Sequence, residues 1–445
     1  MHGRKMNSPT SLPPAPVSFR EALKFWWKLG WISFGGPAGQ ISIMHKELVE
    51  ERRWISEKRF LHALNYCMVL PGPEAQQLAT YIGWLMHGTK GGIAAGALFV
   101  LPSLFILVAL AWLYLAFGHL PALAAVLWGI KPAVVAIVLA AAWRIGKRAL
   151  KNGWLWGLAG LSFACLTFWQ LPFPAIVLGA ALIGAVGGHF HPELFKAGGG
   201  HASPNDSHIP ALIDDDSPRP DHVRPDRRRF LRQLTIGLAL GASVLALLLL
   251  LQGGHGLLSA IGLLFSKAAL LTFGGAYAVL PYVFHAAVSQ YGWLTAPQMM
   301  DGLALGETTP GPLIMIVAFV GFVAGWSASP AMAVAGACVA TFFTFLPSFL
   351  FILLGGPLVE ATHDEIHLQA PLTAITAAVV GVIVNLALFF GWHTVWPAGV
   401  QLAGTDWAAL LLAAAALLAL IRYEINVIHL ISVCAGIGLL WRLLA

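Results

Sequence analysis

Charge is what this chain has least of. Only 10% of its 445 residues are Asp, Glu, Lys or Arg, against 58% hydrophobic, and the mean hydropathy is +0.76. Four stretches, 91–130, 152–192, 308–359 and 366–405, hold no charged side chain at all. Each exceeds the roughly 18 to 20 apolar residues that cross a bilayer, so a water-soluble globule is excluded and a polytopic helical membrane protein is expected. Cysteine is nearly as scarce. Cys67, Cys165, Cys338 and Cys434 stand singly in apolar segments, without the spacing of a disulfide framework or a zinc site. Enzyme motifs are missing too: there is no Walker loop, no G-x-S-x-G and no soluble stretch able to hold a nucleotide. That excludes ATP-driven transport within this chain and leaves no catalytic residue, metal or cofactor to assign. The chain also lacks the apolar core of a cleaved signal, so 1–17 reads as a polar N-terminal tail and the mature chain is expected to begin near Met1.

Basic residues are almost absent from the second half. Of 26 Lys and Arg, 23 lie in residues 1–232, and only Lys267, Arg422 and Arg442 follow. The net charge of +6 therefore bears on topology in the lipid bilayer rather than on nucleic acid, which would need a basic face on a soluble domain. One segment, His189 to Arg232, interrupts the apolar pattern with Gly198-Gly199-Gly200, Asp214-Asp215-Asp216 and Arg227-Arg228-Arg229. We read 191–232 as a solvated cytoplasmic linker. Its histidines (His189, His191, His201, His208, His222) are too irregularly spaced to read as metal ligands.

What is present is a repeat. Lys28, Phe34-Gly35-Gly36, Trp54 and Pro71-Gly72-Pro73 recur 239 positions later as Lys267, Phe273-Gly274-Gly275, Trp293 and Pro310-Gly311-Pro312. After a six-residue slip, Leu101-Pro102-Ser103 recurs as Leu346-Pro347-Ser348, at offset 245. The fold class expected is all-α, with two homologous repeats, 18–190 and 258–442, each made of two broken helical hairpins and about four full spans. If basic loops face the cytoplasm, the first repeat makes an even number of crossings and a lone apolar helix within 233–254 carries the chain outward. The second repeat is then inverted. A parallel repeat stays open, because Glu360, Asp364 and Glu365 fall in a loop this topology makes cytoplasmic.

Gly and Pro inside apolar segments free backbone groups that membranes tolerate only beside protein or a water-filled cavity. Paired breaks at matching positions of two repeats point to a transporter's midplane site, and the half-helices that follow them offer positive ends to an anion. The two Pro-Gly-Pro elements are expected to face each other. The candidate substrate-binding residues are Lys28, Gly35, Gly36, Pro71, Gly72, Pro73 and Gln76, then Lys267, Gly274, Gly275, Thr308, Pro310, Gly311 and Pro312. Asn65, Gln77 and Thr309 also flank the breaks. Lys28 and Lys267 are candidates because a cation in an apolar segment is costly unless it serves a path; snorkelling to the interface is the alternative. Glu74, Glu307 and Lys131 are cast as proton carriers or ion-pair partners, with a structural salt bridge as the alternative.

Phe34-Gly35-Gly36, Trp54-Ile55-Ser56, Leu70-Pro71-Gly72-Pro73 and Leu101-Pro102-Ser103, with a degenerate second copy, resemble the bacterial chromate ion transporter family in its long, two-domain form. The resemblance implies a multi-pass protein of the bacterial plasma (inner) membrane that exports chromate and confers chromate resistance, with sulfate as the related oxyanion. Leu313 stands where the first repeat has Glu74, so any role for that carboxylate is one-sided. An inward sulfate or molybdate carrier using ion coupling is the alternative, a membrane-embedded enzyme is a remote one, and a homodimer is left open.

Overall fold

The computed structural model describes residues 14–118, 120–195, 210–214, 220–253, 256–273, 275–361, 369–397 and 404–444. The described residues are 84% helical, and among them the β pairing is one isolated bridge, Ile55 with Ile213.

Helix α1 (Phe19–Ile32) starts at Ser18, whose hydroxyl accepts the Glu21 N–H at 3.2 Å. It ends before Phe34-Gly35-Gly36, where Gly35 and Gly36 sit at φ 89° and 69°, a left-handed backbone that a side chain would strain. Helix α2 (Gly36–His45) runs into a π turn at Lys46–Glu51. Helix α3 (Glu57–Val69) is capped by Ser56 and separated by Pro71-Gly72-Pro73 from α4 (Glu74–Phe117), itself two helices fused across a kink at His87 and Gly88. Then come α5 (Pro121–Ala149), α6 (Gly153–Phe168) and α7 (Phe173–Phe190).

After α8 (Arg227–Gln252) the series recurs: α9 (Leu257–Leu270), α10 (Ala276–Phe284), a π turn at His285–Gln290, α11 (Ala296–Thr308), α12 (Ile316–Trp326), α13 (Pro330–Ala361), α14 (Gln369–Val395), α15 (Trp407–Arg422) and α16 (Val427–Leu444). The correspondence reaches single hydrogen bonds. After each π turn a tryptophan N–H folds back, Trp54 onto Leu48 C=O and Trp293 onto Ala287 C=O, both at 2.8 Å. The hydroxyl caps match as well, Ser56 before α3 and Thr295 before α11, the latter closed into a capping box by Gln298. The kink in α4 becomes a full break between α12 and α13, in the stretch where the register slips by six.

Among the described residues six helices are long and apolar enough to cross a membrane: α4, α5, α7, α8, α13 and α14. Helix α8 buries little besides Gly237 and Leu248 and leaves Leu250 and Leu251 84% and 72% exposed, as a lipid-facing helix must. This is a multi-pass membrane protein. The arm of α4 that follows the kink runs antiparallel to α13, Gly92 lying against Leu353 and Gly96 against Phe349.

The linker is less solvated than its composition suggests. The non-helical stretch after the first π turn leaves backbone groups open, and the linker pairs with them: Leu212 and Ile213 N–H donate to Arg53 and Trp54 C=O at 3.0 Å, and Ser56 N–H donates to Ile213 C=O at 2.9 Å. Ala211 and Val223 are buried. The His222 ring meets Trp84 edge-on at 5.6 Å beside the α4 kink, and burial pushes its imidazole below the usual value. Gly198 to Gly200, His201, His208, Asp215 and Asp216 lie outside the described residues.

Candidate functional site

The two halves meet crosswise at their Gly/Pro breaks. Gly72 N–H donates to Thr272 C=O at 2.7 Å, and Gly311 N–H donates to Ser33 C=O at 2.8 Å. Thr272 and Ser33 immediately precede Phe273 and Phe34. Each Pro-Gly-Pro therefore bonds the Phe-Gly-Gly element of the other half, rather than the other Pro-Gly-Pro. The reason is geometric: a Pro-Gly-Pro backbone keeps a single N–H, at its glycine, and that donor needs a carbonyl released by a neighbouring break.

The Leu-Pro-Ser motifs close the same two crossings. Gly72 sits at φ 131°, and a Cβ there would press on Ser348 Oγ and lie 2.6 Å from Gln77 Nε2. Gly311 sits at φ 98°, with Ser103 Cβ 2.8 Å from where its own would be. Only glycine fits either place. Three hydroxyls at these crossings, on Ser33, Ser103 and Ser348, are buried without a hydrogen-bond partner, as are the side-chain carbonyls of Gln40, Gln76 and Gln77. Buried polar groups are normally satisfied, so this concentration of open ones marks a place built to hold something polar.

Charge collects at one crossing. The Glu74 carboxylate lies beside Gly275, 4.0 Å from the place of a Cβ, and the Tyr277 hydroxyl donates to Glu307. Arg148 is close enough for its charge to act on Glu74, and Arg144 acts on Glu307 and Tyr277. Among the other expected residues, Gln76 Nε2 donates to Thr80 at 3.0 Å and Gln77 Nε2 to Pro71 C=O at 2.8 Å. The Thr308 and Thr309 hydroxyls donate to Leu305 and Gly306 C=O and so finish α11. Pro73 and Pro312 precede the helical turns that follow each break. Pro310 is buried and Asn65 is exposed. Gly274 lies outside the described residues.

The two lysines are at the surface. Lys28 is 57% exposed and pairs with Glu47 at 3.3 Å, and Lys267 is exposed. Burial raises the Glu47 carboxyl, but hydrogen bonds and charge from Lys28 and Arg52 outweigh it and hold the group below its usual value. Lys131 instead lines a cleft of about 390 Å³ with Tyr114, Gln298 and Asp301, where the Tyr114 hydroxyl donates to Asp301 at 2.9 Å. Near the other end of α13, Arg59 and Glu360 form a buried ion pair at 2.7 Å, and the Tyr81 hydroxyl donates to the same carboxylate. Among the described residues no cluster of three or more side chains suits a metal ion.

Sequence reasoning missed Ser33, Thr272, Tyr277, Arg144, Arg148, Ser103 and Ser348 as site residues. Only the serines left a signal, as the last member of a recurring Leu-Pro-Ser and as the residue before Phe34. The fold defines a class: a polytopic helical membrane protein built on paired broken helices. The family model described as chromate transporter matches residues 20–185 and 259–439. This chain belongs to the chromate transporter family. It is 35% identical over 383 residues to a chromate transport protein of Pseudomonas aeruginosa, covering 84% of this chain and 81% of that one. It is 28% identical over 444 residues to the chromate transport protein of Cupriavidus metallidurans, covering 94% and 99%. The uncharacterized transporter YwrA of Bacillus subtilis is 27% identical over 158 residues, 35% of this chain but 89% of its own. No solved structure matches.

Proposed function

We propose that this protein exports chromate from the cytoplasm across the bacterial inner membrane and so confers chromate resistance. The observation that carries the reading is the pair of crossings with buried, unpartnered serine hydroxyls: an O–H can donate to an oxyanion, and each crossing also brings helix N-termini close by. The substrate class comes from the family. The two repeats are inverted about an axis in the membrane plane, with 18–190 and 258–442 as the units, 191–232 as a cytoplasmic linker and α8 as the inverting helix. The crosswise bonds and the antiparallel run of α4 against its counterpart α13 support that arrangement. So does Glu360, whose acidic loop was the misfit in the topology: its pairing with Arg59 neutralises it and puts it beside the basic run 46–59, which holds Lys46, Arg52, Arg53, Lys58 and Arg59.

Export needs no coupled ion. A divalent anion leaving a cell negative inside gains about 2.3 kcal/mol per charge per 100 mV, roughly 4.6 kcal/mol in all, enough for an outward gradient of over about a thousandfold. Flux of chromate, sulfate and molybdate from proteoliposomes under an imposed potential tests the reading. Chromate efflux that follows the potential without a proton or sodium gradient is the expected result. Inward sulfate or molybdate flux that requires such a gradient would replace it.

A further inference from the structure

Both ends of the interface between the halves carry a tyrosine bonded to a carboxylate beside a cation, but only one end is latched. At one end, Tyr114, Asp301 and Lys131 surround an open cleft of about 390 Å³. At the other, Arg59 on α3 grips Glu360 on α13 at 2.7 Å, with side chains 11% and 1% exposed, while Tyr81 on α4 bonds the same carboxylate.

Such a buried pair is costly to desolvate and gives little net stability, so its best-attested use is as a switch or a register device. Its position fits a switch. Ser348, at the crossing, and Glu360 are twelve residues apart on α13, about 18 Å along the helix. Gln77, also at the crossing, lies four residues, about one turn, from Tyr81 on α4. The latch thus spans the same two helices that hold the crossing, toward the end where the basic cluster 46–59 lies. Between the two, Tyr66 donates to Phe351 C=O at 3.0 Å, and Gly355 and Gly356 let the Tyr66 and Trp84 rings lie against α13. The Arg59 Nε–H is buried and has no hydrogen-bond partner. A guanidinium fork suits a tetrahedral oxyanion as well as it suits a carboxylate.

We propose that Arg59, Tyr81 and Glu360 form the cytoplasmic gate of the anion path, closed in this structure, and that an oxygen-rich dianion opens it by displacing Glu360 from Arg59. The open cleft at Tyr114, Asp301 and Lys131 is then the outer mouth. The displacing ligand rests on the oxyanion reading above, whereas the gate itself does not depend on which anion is carried. The dianion competes with Glu360 for the guanidinium, whose Nε–H is unpartnered, and the carboxylate gives way to it while keeping the Tyr81 hydroxyl as its partner. The halves then part along α4 and α13.

The test uses Ser348→Cys in the full chain, in inside-out vesicles, with a membrane-impermeant thiol reagent; the parent protein gives the background from the native cysteines. Without chromate, Cys labelling at this position is expected to be slow. Adding Glu360→Gln or Arg59→Gln should speed it by about tenfold or more, by shifting the population toward the open state. The swapped pair Arg59→Glu with Glu360→Arg should restore protection, which a merely unfolded variant would not do. Equal labelling in the intact, broken and swapped forms overturns the gate. Chromate added to the Ser348→Cys protein should also speed labelling, and no change would overturn displacement by the anion. Labelling without chromate reports the gate alone, and flux in proteoliposomes reports the substrate, so either reading can fail without the other.

Discussion

The two halves share a backbone but not a charge. After the first Pro-Gly-Pro come Glu74, Gln76 and Gln77; after the second, the matching positions are Leu313, Met315 and Ile316. Before the break the exchange is reversed: Met68, Val69 and Leu70 in the first half, Glu307, Thr308 and Thr309 in the second. In the folded protein both acidic residues lie against the segment that follows the second Phe-Gly-Gly. Glu74 lies beside Gly275 and Glu307 bonds Tyr277, so one carboxylate meets each end of 275–277, and the charges of Arg148 and Arg144 act on them. At the first Phe-Gly-Gly a Cβ on Gly35 or Gly36 would meet no carboxylate among the described residues, and position 38, the counterpart of Tyr277, is alanine. The lesson is that duplication supplied the scaffold, and the divergence of a few positions turned one of two equivalent crossings into the charged one.

The scaffold half of this comparison breaks if the two glycines behave differently. Replacing Gly72 or Gly311 by Leu should abolish flux, a loss of about a hundredfold or more, while leaving the protein in the membrane, because each sits at positive φ against a serine of the other half. Flux in proteoliposomes normalised to membrane protein checks it. A normal rate in either variant would show that its crossing is not on the path.

The charged half of the comparison predicts inequality. Glu307→Gln should lower flux by about tenfold, since a carboxylate buried beside Tyr277 and Arg144 acts on every passing charge in a low-dielectric site. Met68→Gln, at the matching but half-exposed position of the first half, should leave flux within about twofold. Equal losses would mean that both crossings carry ions in the same way. The unpartnered serines are an intermediate case. Ser103→Ala and Ser348→Ala each remove one donor from symmetrical places, so each should weaken half-saturation by about three- to tenfold and to similar extents, as the loss of one hydrogen bond does.

The spans and breaks were legible because they follow from local chemistry. Uncharged runs must lie in lipid, and Phe-Gly-Gly and Pro-Gly-Pro cannot continue a helix wherever they occur. Composition marked 191–232 as a linker but gave no sign of its pairing with Arg53 and Trp54. The pairings across the halves left no such trace. Nothing local says that Arg59 meets Glu360, 301 positions away, or that Tyr114 meets Asp301. The hint available was an inconsistency: an acidic residue at 360 in a loop that topology made cytoplasmic. Arg144 and Arg148 sit among Lys147 and Lys151, where the sequence shows only a basic stretch; it is the fold that lets their charges act on Glu307 and Glu74.

Lys28 and Lys267 were matched in sequence and remain matched in exposure, so the smallest expected effect is also the most nearly symmetrical. Both are at the surface, and Lys28 is partly neutralised by Glu47, so neither needs to touch the anion to act on it. A surface cation raises the local concentration of a dianion through its field, an effect that salt screens beyond about 10 Å at 0.1 M. Lys28→Gln and Lys267→Gln should therefore each raise the half-saturating chromate concentration by about two- to threefold at low salt, with Arg preserving most of the affinity. The effect of Lys28→Gln should be the smaller, because its partner already offsets it. Repeating the measurement at high salt should erase both differences. A loss that persisted there would place the ammonium in direct contact with the anion and draw the first half's charge into the comparison on equal terms with the second.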